Sequence, residues 1–359
     1  KMVMYHRETD KEKVSRNSEA IFNLHSSAIT WLEEYTGIDY PFQKFDFVLI
    51  PAFQYGGMEH PGTVFYKDAS FFLDESATKS QHLGRAGLIA HETAHMWFGD
   101  LVTMNWFDDV WTKEVFANFM GGKIVNPSFP EINHDLRFLS HYSSAYSVDR
   151  SLGANQIRQP LENLNMAGTL YGAIIYSKAP VVMKHLELLV GEKIFREGMQ
   201  KYLKQFSYRN ATWLDLIQIL DELSKEGLGS WSKIWVEEPD RPIIDIDVNF
   251  TPNGTIRRLK LKQTDPKKEN RIWKQHLNVH LGYADADIVI PVYLKNKSVI
   301  VTEAKGLRRP NYILPNGRGI GYGYFRMDKT TREYLLAHLP ELTDPMKRGI
   351  AWLNLWEDM

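Results

Sequence analysis

The chain has 359 residues, enough for two or three domains that each bury a core. Apolar residues make up 43% and charged residues 24%, with a formal net charge of −1, which excludes a disordered chain and leaves no electrostatic footprint for nucleic acid. There are no cysteines, so disulfides, thiolate nucleophiles and cysteine metal sites are excluded.

The opening residues alternate (Met2 and Met4 against Val3 and Tyr5) and predict the end of a strand. Lys1 to Asp10 lack the apolar core of a signal peptide, and because they look like the end of a strand rather than a native start, the chain is expected to be part of a longer protein, with its compartment left open. No apolar run approaches the roughly 20 residues that span a bilayer. Lys44 to Ile50 alternate and then become continuously apolar, which predicts a strand. Helical patterns follow over Gln81 to Leu101, Thr112 to Val125, and Val181 to Val190, the last closed by Gly191. Another helix is predicted from Thr212, with Asp215 as its capping partner. Trp106, Trp111, Trp213 and Trp231 are expected to pack helices, and His25, His82, His134, His141 and His185 to be ordinary core or surface residues. From Ile244 the period changes to two, with a turn at Thr251-Pro252-Asn253-Gly254, so residues 243–328 predict a small antiparallel β-sandwich. Thr330 and Glu333 then predict a capping box, and helical spacing runs to Met359.

Chemistry concentrates at His91-Glu92-Thr93-Ala94-His95. On a helix, residues four apart sit about 40° around the axis and roughly 6 Å along it, so both imidazoles reach one metal ion. Glu92 lies on the same side and reaches a water on that metal without ligating it. A catalytic zinc needs a third protein ligand and an open position. Glu114, separated from His95 by 18 intervening residues in Trp111-Thr112-Lys113-Glu114-Val115-Phe116-Ala117, supplies it if Gly99, Asp100 and Asn105 turn the chain back into an antiparallel helix pair.

With that spacing, and with Trp97-Phe98-Gly99-Asp100-Leu101-Val102-Thr103-Met104 after it, the chain resembles the gluzincin aminopeptidases, the aminopeptidase N family. Val115 stands where the family usually has Gly. Gly56-Gly57-Met58-Glu59-His60-Pro61 resembles the family's exopeptidase segment, with His60 in place of the usual Asn. The glycines let a backbone edge approach the substrate, and Glu59 suits a peptide's free α-ammonium. Tyr176-Ser177-Lys178-Ala179-Pro180 resembles the segment whose tyrosine stabilises the tetrahedral oxyanion, with Ala179 where Gly is usual. If Ser177 is an N-cap, Pro180 falls in a first helical turn and Tyr176 sits at its positive end.

The resemblance implies an α+β protein with one Zn²⁺ per chain on His91, His95 and Glu114. Glu92 and Tyr176 are the expected catalytic residues, and Gly56, Gly57, Met58 and Glu59 the expected substrate-binding ones. It also implies three parts: a thermolysin-like, mostly helical catalytic domain over 1–242, the β-sandwich over 243–328, and the start of a truncated C-terminal helical domain over 329–359. Further N- and C-terminal domains of the same protein are expected as partners, with peptides bearing a free N-terminus as substrates and no nucleic acid or membrane span. A zinc endopeptidase, a non-catalytic peptide-binding homologue and an epoxide hydrolase of the same broad family remain open at this point.

Overall fold

A computed structural model describes residues 1–359, Thr169 by its backbone alone. The chain begins with β1 (Met4–Tyr5), α1 (Lys11–Thr36), β2 (Asp46–Ile50), β3 (Gly57–Met58) and β4 (Thr63–Lys67). Next come α2 (Lys79–His95), β5 (Val102–Met104), α3 (Val110–Val125), α4 (His134–Asp149) and a π-helical turn, Ile174–Lys178, that leads into α5 (Ala179–Val190). Then follow α6 (Glu192–Phe206), β6 (Arg209–Ala211), α7 (Trp213–Ser224) and α8 (Leu228–Val236). Strands β7 (Ile243–Phe250), β8 (Ile256–Thr264), β9 (Gln275–Gly282), β10 (Asp287–Leu294), β11 (Ser298–Ile300), β12 (Tyr312–Leu314) and β13 (Tyr324–Arg326) precede α9 (Lys329–His338) and α10 (Pro345–Asp358). The α+β expectation is met. No helix among the described residues is long and apolar enough to cross a membrane.

The chain divides into two compact units: Lys1–Ile132, Pro160–Thr169 and Glu192–Lys225 form one, and Asn133–Gln159, Leu170–Gly191 and Glu226–Met359 the other. In the first, the sheet order is β1-β2-β4-β3, so β3 is an edge strand, paired antiparallel to β4 through Gly57↔Tyr66 and Met58↔Phe65. Helix α2 opens on a complete capping box, Thr78 with Gln81, which satisfies two backbone donors that a helix start otherwise leaves unpaired. It ends at His95, six residues before the predicted limit of Leu101. There the chain unwinds: Asp100 N–H donates to His95 O at 3.0 Å, and Gly99 adopts φ 138°, a conformation that favours glycine. Helices α2 and α3 then run antiparallel. Gly99, just past α2, faces Lys113 near the start of α3, while Gly121 near its end faces Gly87 and His91. Trp111 and Trp213 are buried against each other at 4.8 Å between ring centroids. Trp106, expected to pack a helix, is 42% exposed and donates from its indole to Leu161 O.

In the second unit, the sheets β10-β9-β12 and β11-β8-β7-β13 share one apolar core that includes Ile244, Leu261, Leu277, Val279, Leu294 and Phe325. The pairing is antiparallel except that β13 runs parallel to β7, a departure from the all-antiparallel expectation that follows from the long return of the chain to that edge. The final helical stretch is two helices. Its N-cap is Asp328 rather than Thr330: Thr331 N–H and hydroxyl both donate to the Asp328 carboxylate, which outcompetes a hydroxyl as an acceptor. Asp344 caps α10.

The π turn replaces the predicted N-cap at Ser177, and Ser177 and Tyr176 both lie within it. Pro180 is the cause. It has no N–H to give to Tyr176 O, so that carbonyl accepts instead from His141 Nδ1 at 3.1 Å, and Ala179 N–H reaches back to Ile174 O. Tyr176 therefore does not sit at a free helix terminus.

Candidate active site

His91 and His95 occupy the last two turns of α2, and Glu114 the second turn of α3. The Nε2 atoms of the two histidines are 3.1 Å apart, and Glu114 Oε2 lies 3.6 Å from His91 Nε2 and 4.0 Å from His95 Nε2. Ligands about 2.0–2.1 Å from a tetrahedral zinc stand about 3.3 Å from one another, so the two nitrogens lie near that spacing and the carboxylate oxygen somewhat outside it. The hydrogen bonds agree. His95 Nδ1 is 3.1 Å from Phe98 O, an acceptor only, and His91 Nδ1 is 3.1 Å from Asn118 Oδ1. With both Nδ1 atoms beside these oxygens, the two Nε2 atoms turn toward each other, an arrangement that suits a shared cation.

Burial drives the electrostatics. Desolvation, together with His91, lowers the His95 pKa to about 4, which favours a neutral, ligating ring. His91 is moved the other way: its burial is outweighed by the Glu114 hydrogen bond and by the charges of Glu92, Glu114 and Glu59. Burial also opposes ionisation of Glu114, yet His91, His95 and Lys113 together lower its pKa to about 2. Desolvation raises Glu92 to about 8, with Glu59 and Glu114 adding to the rise, and Glu92 Oε2 is buried without a hydrogen-bond partner among the described residues. Asp100 is likewise raised to about 8 by burial and by Glu59. A buried carboxylate set of this kind is a place where a divalent cation relieves repulsion.

Gly57, on the β3 edge, packs directly on Glu92: a Cβ there would fall 2.3 Å from Glu92 Oε1. Gly56 faces Leu88 at an ordinary distance. Met58 pairs with Phe65, and Glu59 follows at the strand's end. Glu59 meets Lys113, whose Nζ donates to Glu59 Oε1 and stands 3.2 Å from Glu114 Oε1. Burial resists ionisation of Glu59, but His95 and Lys113 hold its pKa below the ordinary carboxylate value. The structure thus brings Gly57, Glu59, His91, Glu92, His95 and Glu114 together in the first unit. Tyr176 belongs to the second unit, where its ring stacks on Tyr171 at 6.2 Å.

Sequence reasoning missed Lys113, Asn118 and Asp100. Asn118 follows Glu114 by four residues, the same helical spacing as His91 and His95, so that argument applied to α3 would have found it. Lys113 has no comparable signal beyond adjacency to Glu114.

The cluster is a candidate metal site, and comparison with known proteins gives the family of the chain. The peptidase family M1 domain matches residues 21–235, and the chain belongs to that family. It is 28% identical over 357 residues to aminopeptidase N of Streptomyces lividans, covering 95% of this chain and 41% of the relative. It is 30% identical over 328 residues to the puromycin-sensitive aminopeptidase of Caenorhabditis elegans, covering 89% and 34%. Leucyl aminopeptidase of Saccharolobus solfataricus is 33% identical over 227 residues, 63% of this chain and 29% of the relative. The chain spans well under half the length of these relatives.

Proposed function

We propose that the protein is a zinc-dependent aminopeptidase that removes single residues from free peptide N-termini. The observation that carries this reading is the convergence of His91 Nε2, His95 Nε2 and Glu114 Oε2 within 3.1–4.0 Å, beside a buried Glu92 carboxylate. One zinc ion per chain would be held by these three side chains. When bound, it would polarise the scissile carbonyl and bring the pKa of a water toward about 7.

The remaining steps belong to this chain's residues. Glu92 takes a proton from the attacking water and delivers it to the leaving amine; the burial that raises its pKa suits it to carry that proton near neutral pH. Glu59 accepts a charge-assisted hydrogen bond from the α-ammonium and so fixes the scissile bond one residue from the N-terminus. The Gly57–Met58 edge offers backbone to an extended substrate. Tyr176, assigned through its motif, donates its hydroxyl to the developing oxyanion. The catalytic part is proposed to be thermolysin-like and to span residues 1–242, with the β-sandwich over 243–328 and a further helical part from 329. The greater length of the relatives is compatible with additional domains that complete the enzyme.

The test uses full-length protein and matched peptides with free or acetylated N-termini. Acetylation removes the charge that Glu59 recognises, so acetylated peptides should be very poor substrates. Glu59→Ala should lower kcat/KM for free peptides by roughly 30- to 1,000-fold, the loss of a charge-assisted pair in a partly desolvated cleft. Equal cleavage of both peptides, at internal bonds, would replace this reading with a zinc endopeptidase.

A further inference from the structure

Glu59 does not wait for its substrate as a bare carboxylate. Lys113 reaches it from the first turn of α3, and its Nζ donates to Glu59 Oε1 while standing 3.2 Å from Glu114 Oε1. All three side chains are largely out of solvent, at 18%, 13% and 10% exposure for Lys113, Glu59 and Glu114. An ε-ammonium and an α-ammonium are the same chemical group to a carboxylate: a compact cation with N–H donors. We propose that Lys113 is a specificity-determining residue that occupies Glu59 as an internal stand-in for the substrate's ammonium and is exchanged for it when a peptide binds. This inference rests on the aminopeptidase reading for the identity of the incoming group.

The exchange has a defined destination. Lys113 already stands between two carboxylates, so on releasing Glu59 it keeps its contact with Glu114 Oε1 and remains paired. Held by Glu114 Oε1, the lysine stays near the arriving ammonium as a like charge. Two effects follow. Every free-amine ligand binds more weakly than Glu59 alone would allow, because part of its interaction replaces one that the protein already makes. A released amino acid, which keeps its ammonium, is displaced by the returning lysine, which favours product departure. The lysine also keeps a buried Glu59 compensated between turnovers, when an unpaired charge would be costly.

The test measures binding of L-leucinol, a small α-ammonium ligand without a peptide bond, to full-length, metal-loaded protein by calorimetry. N-acetyl-L-leucinol is the uncharged control, and metal content is measured in parallel. Lys113→Gln should tighten L-leucinol binding by about 10-fold, the effect of removing one competing like charge at a partly buried site, and leave N-acetyl-L-leucinol binding as weak as before. Lys113→Met provides a second neutral replacement of similar length should the glutamine variant fold poorly, and Lys113→Arg, which keeps the charge, should restore the weak binding. Unchanged or weaker L-leucinol binding in the neutral variants overturns the proposal. So does loss of metal from them, which would make the lysine a support for Glu114. Hydrolysis of free-amine peptides by the wild type is scored separately. If it is absent, the aminopeptidase reading fails whatever Lys113 does; if it is present without tightening, only the exchange fails.

Discussion

A single added methyl at Gly57 tests how the proposed base is held. The Cβ of Gly57→Ala would fall 2.3 Å from Glu92 Oε1, 2.5 Å from Cδ and 2.6 Å from Cγ, where ordinary contact begins at 3.4 Å. Relief therefore requires a movement of about 1 Å, judged against ordinary contact distances. The β3 backbone is tied to β4 through Gly57↔Tyr66, and the α2 backbone carries both histidines, so the Glu92 carboxylate is the part that gives way. Displacing a reacting group by about 1 Å costs on the order of 100-fold in rate. Gly57→Ala should thus lower kcat about 100-fold with full metal content, and overpacking should cost about 1–3 kcal/mol of stability. Gly56→Ala meets only Leu88 Cδ1, at 3.4 Å, and should cost far less. The assay is steady-state cleavage of an aminoacyl fluorophore with parallel elemental analysis. A Gly57→Ala enzyme within threefold of wild type would refute the idea that this contact positions Glu92.

Three further outcomes are expected. Tyr176→Phe should lower kcat by about two to three orders of magnitude with little change in KM, as for loss of one oxyanion donor; an effect confined to KM, or seen only in Tyr171→Phe, would move the role elsewhere. Glu114→Ala should weaken zinc binding by at least about 100-fold, more than the loss of an outer partner costs, and a chelator titration that finds wild-type affinity would remove Glu114 from the ligand set. Burial of His25, whose Nδ1 is 2.8 Å from Ile21 O, lowers its pKa from 6.5 to about 4, so the folded state favours the neutral ring. That stabilisation is complete above about pH 6.5 and is lost as pH falls toward 4, by about 3 kcal/mol in all. Denaturation midpoints of wild type should therefore fall more steeply across that window than those of His25→Leu, and parallel curves would contradict the assignment.

What the sequence determined by itself lies within single elements. The spacing of His91 and His95 on one helix face, the Thr212 cap with Asp215, and the two-residue period from Ile244 depend only on neighbours a few positions away, and local backbone geometry converts them directly into structure. The need for a third ligand pointed to Glu114, and the resemblance of the glycine-rich segment pointed to Glu59 as the carboxylate for a peptide's α-ammonium. Tertiary structure decided what local pattern does not encode. Helix α2 stops at His95 because the chain bonds back on itself through Asp100 and Gly99, although apolar residues continue to Leu101. Pro180 produces a π turn because His141, 35 residues earlier than Tyr176, accepts the role of partner to the freed Tyr176 carbonyl. Gly57 is required not by its own backbone but by the Glu92 side chain that fills the space beside it. Lys113 reads as an ordinary solvated helix residue until the folding of α3 against α2 and the β3 edge places two carboxylates within its reach. Contacts of this kind join residues far apart in the chain, and their energies depend on burial and distance, which only the assembled packing sets.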